Sequence, residues 1–387
     1  MPNSSMARVA ILVDTSTGWG RRLIRGIISY ARKHGPWRLW IDDRGQREPQ
    51  QLPPGWVGEG IIARIATHTI HRHVVGRKVP VVNVSGIELD GVKLPRAATD
   101  MQAVGRLASN HFLDRGFRNF GYYGPQRLSY VAPHREAFAS CLAAAGYPCA
   151  VYRPSPGLGP RSNWSALQDD LARWLVGLPK PIGIFTWGNR PGREVIYVCQ
   201  RAGLLVPEQV AVLAGDDDEL LGAACNPPLS GVMVASEQIG HTAAEMLDRL
   251  MRGKRLARQT VTIGPESITT RQSTDTLAID DRDLAEAIRF IREHASEAIQ
   301  VSDLVAKLAI SRRHLERRFH EVLGRTPAAE IRRVHLERAR ELLAETNLAI
   351  PLVAQKSGFG SPEYLAYIFK KETGLSPRQY RTQVRGH

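Results

Sequence analysis

Between Leu304 and Pro377 the chain carries one pattern twice. The first copy runs Leu304, Val305, Ala306, then Leu315, Phe319, Gly324 and Pro327; the second runs Leu352, Val353, Ala354, then Leu365, Phe369, Gly374 and Pro377. The offset is 48 residues before the turn and 50 after it, so the second turn is two residues longer, near Gly358 and Phe359. Each copy reads as a short helix, a turn and a second helix stopped by glycine. Pro327 to Thr346, with apolar Ile331, Val334, Ala339, Leu342 and Leu343, reads as one connecting helix. Such a helix spans roughly 30 Å, close to the ~34 Å between successive major-groove faces of a duplex. The pattern therefore predicts two helix-turn-helix units, at about 302–324 and 350–373, with double-stranded DNA carrying tandem half-sites as partner. A stacked helical array fits less well, because solenoids need three or more units.

Ser311 can cap the second helix of the first copy, where Leu315, Phe319 and Val322 share one face. Arg312, Arg313, His314, Glu316, Arg317 and Arg318 lie mostly on the others and are the candidate DNA-contacting residues. The N-terminal residues of such a helix reach base edges, and arginine reads guanine by paired hydrogen bonds. In the second copy Ser361 and Pro362 start the helix, and Glu363, Tyr364, Tyr367 and Lys370 join the candidates on a less basic face. Charge agrees with a polyanion: of a net +14, the last 86 residues hold +7, from 16 Lys and Arg against 9 Asp and Glu.

At 387 residues the chain exceeds what one core supports. Four cysteines, Cys141, Cys149, Cys199 and Cys225, form no C-x-x-C pair and have no histidine at zinc spacing, which predicts a reduced, cytoplasmic protein without metal or cofactor. The short polar start and the five-residue apolar run Val9 to Val13 predict neither signal peptide nor membrane span. From Arg8, short apolar runs (Val9 to Val13, Gly60 to Ile65, Val79 to Val84, Asn119 to Tyr123, Ile182 to Trp187, Val210 to Leu213) alternate with amphipathic helices (Arg21 to Lys33, Met101 to Leu113, His134 to Ala145, Arg193 to Ala202, Ser236 to Met251). That alternation predicts an α/β fold of parallel, doubly wound sheets. Its length suits two lobes over 1–275, with a cleft at the strand ends, followed by an all-α domain over 276–387. Arg271 to Asp281 reads as a polar linker.

The C-terminal portion resembles the AraC family of transcription regulators. The likeness rests on S-x-x-H-L-x-R-x-F from Ser311, G-x-T-P from Gly324, G-F-x-S from Gly358, F-K-K from Phe369 and G-L-S-P-R-Q-Y-R from Gly374. Many members carry arginine where this chain has Tyr367. The first 275 residues resemble the periplasmic-binding-protein-like sensor of LacI-type regulators. The matching features are Asp14 ending the first strand, D-x-x-x-V-G-R-L-A-x-x-H-F-L-x-R-G from Asp100, Arg135 with Phe138, V-P-E-Q-V from Val206, the acidic turn Gly215 to Glu219, and P-P-L-S-G-V from Pro227.

That resemblance implies an effector cleft lined by Asp14, Arg135, Asn189 and Asp216, with Trp19 as the ring on which a sugar stacks; Asn189 stands where an acidic residue is common. Structural alternatives are helix caps for the two aspartates, a surface site for Arg135 and a core site for Trp19. Asp217 and Asp218 are expected to be solvated, as is the loop holding His68, His71 and His73. Together the two likenesses imply a dimeric, sugar-responsive transcription activator of pentose catabolism, with xylose or a related pentose as effector and RNA polymerase as a further contact. The alternatives are a sugar-processing enzyme on the α/β lobes and a sugar carrier. Against the first, T-G-W-G-R-R replaces G-x-G-x-x-G after the first strand, and neither G-x-S-x-G nor a Walker sequence occurs.

Overall fold

The computed structural model describes residues 6–42, 51–125, 131–159, 162–276 and 282–385. Contacts divide the chain into one unit of Met1–Leu113 with Phe117–Thr276 and another of Asp114–Gly116 with Leu277–His387.

The first unit is two lobes, each built on a six-stranded sheet. β1 (Ala7–Leu12), α1 (Gly18–His34), β2 (Trp37–Ile41), β3 (Gly60–Ala63), α2 (His68–Val75), β4 (Val81–Asn83) and β5 (Arg96–Thr99) open the first lobe. The second holds α3 (Met101–Leu113), β6 (Asn119–Tyr123), α4 (Ala132–Ala144), β7 (Cys149–Val151), α5 (Trp164–Gly177), β8 (Ile182–Thr186), α6 (Asn189–Arg201), β9 (Val210–Ala214), α7 (Glu219–Ala223) and β10 (Ser230–Val234). α8 (Ser236–Met251) and β11 (Thr260–Ile263) return to the first sheet, and β12 (Pro265–Thr269) closes the second. The orders are β11-β5-β4-β3-β1-β2 and β12-β10-β9-β8-β6-β7, parallel throughout except for β12 against β10. The chain thus crosses between lobes three times, near Asp100, Ala235 and Gly264.

Central strands β3, β8 and β9 are buried at every position, as expected where helices cover both faces of a parallel sheet. β2 and β7 are edge strands, as are β11 and β12, and only half-buried; all four are absent from the sequence reading, as are the short β5 and the strand β10. The expected loop around His68, His71 and His73 is instead helix α2. Thr67 caps it by accepting from the Ile70 N–H, Val74 turns inward, and the His73 Nε2 accepts from the Leu52 N–H at 2.9 Å. The expected linker also shifts. Arg271 is anchored in the first unit, donating to Asp217 Oδ1 at 2.6 Å and to the Leu229 carbonyl at 2.7 Å, and Ser273 and Thr274 are buried; residues 277–281 lie outside those described.

In the second unit α9 (Arg282–Glu293), α10 (Val301–Leu308) and α11 (Arg312–Leu323) pack on the first half of α12 (Pro327–Glu345). α13 (Ile350–Lys356), α14 (Pro362–Thr373) and α15 (Pro377–Arg385) pack on the second half. Leu284, Ile288, Leu304, Leu315, Phe319, Ile331 and Val334 form one core; Leu336, Leu343, Val353, Phe359, Leu365 and Phe369 form the other. The turn before α14 has five residues against three before α11, and Gly358 at φ 73° turns it. A Cβ there would meet the Glu297 carbonyl and the His335 ring, so glycine is required. Among the described residues no helix is long and apolar enough to cross a membrane.

In the first unit α1 and α8 touch backbone to backbone: a Cβ on Gly26 would run into the Glu237 carbonyl, and one on Gly240 into that of Leu23. Gly240→Ala should therefore force the helices apart and cost about 1–3 kcal/mol of stability, measured as a lowered unfolding temperature with unchanged helical content.

Candidate functional site

A cleft of about 1250 Å³ opens where the C-terminal ends of β1, β6, β8, β9 and β10 converge. Asp14, Trp19, Asn189 and Asp216 all line it. Asp14 lies two residues beyond β1 with 4% exposure, and its Oδ1 accepts from the Ser16 N–H at 2.9 Å and hydroxyl at 2.6 Å. Trp19 sits in the first turn of α1, half-buried, with the Arg64 guanidinium 5.6 Å from its ring centre. Asn189 opens α6 and donates its backbone N–H to Asp216 Oδ1 at 2.5 Å, while neither polar atom of its own buried amide has a hydrogen-bond partner among the described residues. Burial pushes the Asp216 carboxyl above the usual range, against the Asn189 N–H and the Arg22 charge, which pull it down.

The neighbouring acids are not solvated as the sequence suggests. Asp217 is 1% exposed and holds Arg271; Asp218 is 3% exposed and works in two directions. Its Oδ1 caps α7 through the Leu221 N–H, and its Oδ2 accepts from the Gly18 N–H at 2.8 Å and Arg21 at 3.3 Å, tying α1 of the first lobe to the second. Burial, with the charges of Asp218 and Asp217 adding to it, raises the Asp216 carboxyl, and the three adjacent acids are accommodated because each faces different donors.

Arg135 is not among the cleft residues; it pairs with Glu136 at 3.3 Å. The reason is helical phase. Ala137, Phe138 and Leu142 define the buried face of α4, and position 134 shares that face at three- and four-residue spacing whereas 135 is turned about 100° away. His134 occupies the inward position, 3% exposed, stacked on Phe185 at 4.7 Å and edge-on to Trp187 at 5.0 Å. The Tyr122 hydroxyl lies 2.9 Å from Nδ1, and burial holds that phenol protonated, so it donates and the imidazole hydrogen belongs on Nε2. Nε2 faces the cleft wall at Gly215 with no partner among the described residues. Burial also drops the His134 pKa to about 3, so the ring is a neutral donor at physiological pH. His134, Arg64, Arg190 and Arg193 line the cleft unforeseen; only the phase of Ala137 and Phe138 could have pointed to the first.

The DNA-contact candidates lie on α11 and α14. The Ser311 hydroxyl caps α11 through the His314 N–H at 3.2 Å, and Ser361 caps α14 through the Tyr364 N–H at 3.1 Å, with Pro362 at the first position. Arg312, Arg313 and Arg317 are exposed; His314, Glu316 and Arg318 are half-buried. Arg312 pairs with Glu316 at 2.9 Å and Arg318 with Glu321 at 3.1 Å, exposed pairs that cost little to exchange for another anion. On α14, Glu363, Tyr364, Tyr367 and Lys370 are exposed, opposite buried Leu365, Ile368 and Phe369.

A family model described as an XylR N-terminal domain matches residues 8–100, a periplasmic binding protein-like domain matches 109–274, and a helix-turn-helix domain matches 304–383. The chain is 30% identical over 382 residues to the xylose operon regulatory protein of Escherichia coli K12, covering 97% of this chain and 96% of that one. It is 26% identical over 385 residues to the protein of the same name from Haemophilus influenzae, covering 97% and 98%. The solved structure of the xylose-binding transcription activator xylR aligns with a TM-score of 0.63 at 29% identity, over 98% of this chain and 99% of that one. A periplasmic binding protein/LacI regulator from Alkaliphilus metalliredigens, complexed with D-xylulofuranose, aligns at 0.53 and 16% identity over 70% of this chain and 100% of that one, a likeness of fold alone.

His134→Phe keeps the stack but removes both ring nitrogens. Titration calorimetry should show sugar affinity reduced about tenfold, the worth of one hydrogen bond of ~1.4 kcal/mol. A second signature is acid sensitivity. Because the folded pKa is about 3 and an unfolded histidine titrates near 6.5, the unfolded state binds the extra proton between those values. Stability of the natural chain should fall as pH drops through that window, and thermal unfolding of the variant should lack this component.

Proposed function

Because the chain belongs to the family of xylose operon regulatory proteins, we propose that it senses xylose or a closely related pentose in the interlobe cleft and controls, as an activator, genes of pentose use. It is a helix-turn-helix transcription regulator and not an enzyme. The observation that carries the effector assignment is the meeting of Asp14, Asn189, Asp216 and the His134 Nε2 around one cleft with an indole on its wall. Carboxylates accept from sugar hydroxyls, the imidazole N–H donates to them, and Trp19 offers the flat apolar surface that the C–H face of a pyranose needs. A cleft above the roughly 300–1,000 Å³ of ordinary ligand pockets leaves room for the lobes to close on a small sugar. The three crossings near Asp100, Ala235 and Gly264 are where the chain would bend.

Ligand shifts the sensor only by binding one arrangement better than another. In this reading the protein works as a homodimer in the cytoplasm, closure reorients the pair, and reorientation lets the helix-turn-helix units occupy tandem half-sites together and engage RNA polymerase. Arg312, Arg313 and Arg317 approach base edges of one groove, with Ser361, Glu363, Tyr364, Tyr367 and Lys370 addressing the next.

The test is a gel-shift of a duplex from the promoter region with and without a panel of pentoses and hexoses. Xylose should strengthen retardation while hexoses do not; equal retardation with every sugar would refute the sensor assignment. Arg317→Ala should weaken specific DNA binding by about 1–3 kcal/mol while calorimetry finds sugar affinity unchanged.

A further inference from the structure

The two recognition helices are the same fold element with different chemistry. Superposing their serine caps, Ser311 on Ser361, aligns Arg312, Arg313, Glu316 and Arg317 with Pro362, Glu363, Ala366 and Tyr367. Four charged groups at the base-reading positions of α11 are thus replaced on α14 by one acid, a proline, a methyl group and a phenol ring. Nothing in the core demands the change: Leu315 and Phe319 are matched by Leu365 and Phe369 in the equivalent buried places. The ring of Tyr367 is 63% exposed and that of Tyr364 45%, one helical turn apart on the face away from the core, and Tyr364 lies 6.0 Å from the Phe359 ring of the preceding turn. The first helix presents donors through arginine, with His314 beside them; the second presents the apolar surface of its two tyrosines flanked by an acceptor.

We propose that the two units demand chemically unlike half-sites: α11 reads guanine, and α14 reads the C5-methyl of thymine through Tyr367 and Ala366, with Glu363 accepting from a neighbouring cytosine. This rests on the DNA-binding assignment above and adds the composition and polarity of the operator to it. In the major groove guanine shows two acceptors that suit arginine. Thymine alone shows a methyl group, which an apolar side chain contacts, and cytosine shows an amino donor that suits glutamate. Tyr367 in place of Arg317 also removes the cation from the N-terminal, base-reading end of α14 and leaves Lys370 and Lys371 at its far end, where they suit phosphate, so the sequence preference of the second unit depends on the match of shape and methyl position. The operator half bound by one chain has, in consequence, a direction, and a dimer needs four contacts in the order its subunits impose.

The experiment selects duplexes from a random pool with the full-length protein in the presence of xylose, then replaces each thymine of the selected site by deoxyuridine, which removes only the methyl group. Two unlike halves, one guanine-bearing and one thymine-bearing, are expected about one helical turn apart. Uracil at the contacted position of the thymine half should weaken the natural chain about fourfold, the worth of one buried methyl-sized group. Tyr367→Ala should bind the thymine and uracil duplexes alike, keep its guanine preference in the other half, and melt at the natural temperature, since the ring is exposed. Identical selected halves, uracil without effect on the natural chain, or a Tyr367→Ala protein as sensitive to uracil as its parent would each overturn the proposal. Failure to select any duplex would instead overturn the DNA-binding assignment beneath it.

Discussion

One helix is shared by two hydrophobic cores, and the DNA-binding half of the molecule depends on that sharing. Ile331 and Val334 of α12 are buried with Leu315 and Phe319, while Leu336, Ala339, Leu342 and Leu343 are buried with Leu365 and Phe369. Neither core could form without its half of α12, and this single 19-residue helix, about 28 Å long, fixes one recognition helix relative to the other. Its first turn is fixed by charge as well as packing. Glu330, fully buried, takes two hydrogen bonds from Arg333 at 3.0 and 2.8 Å. Burial pushes its carboxyl up, but the Arg333 bonds and the charges of Arg333, Arg325 and Arg292 more than offset this and hold it below the usual range. A buried carboxylate so enclosed resists displacement, because removing either partner leaves a charge without compensation.

The sensor half relies on a different constraint, the meeting of strand ends from two sheets. Parallel strands deliver their C-terminal residues to one edge, so Asp14 from β1, Trp187 after β8 and Asp216 after β9 arrive in one cleft although they are far apart in sequence. Asp218 couples this edge across the lobes by capping α7 with one oxygen and holding the start of α1 with the other. An acid turn of three aspartates therefore does three jobs: Asp216 faces the cleft, Asp217 fixes Arg271, and Asp218 ties lobe to lobe.

The α/β class, the paired helix-turn-helix units and the absence of an enzyme motif were legible in the sequence because each depends on local pattern. Apolar runs mark central strands buried on both faces, and the repeat marks helices whose cores use the same residues twice. What was not legible fails for identifiable reasons. β2, β7, β11 and β12 are half-buried sheet edges, β5 and β10 pass through small and polar residues such as Thr99, Ser230 and Gly231 that break the apolar run, and α2 is too short and too rich in histidine to declare itself. Arg135 entered as a cleft residue through the resemblance to LacI-type sensors, and the structure puts its neighbour His134 in that place, because one residue along a helix is a rotation of about 100°.

The sequence by itself determined the alternation of central strands and amphipathic helices and the two helix-turn-helix units at the C-terminal end, since capping, periodicity and glycine stops act within a few residues. Tertiary structure decided which side chains face the cleft. Register on α4 selects His134, the Tyr122 hydroxyl assigns its hydrogen to Nε2, and the crowding of strand ends turns three consecutive aspartates to three different partners. Those outcomes depend on burial and on donors from distant segments, and no local pattern carries that information.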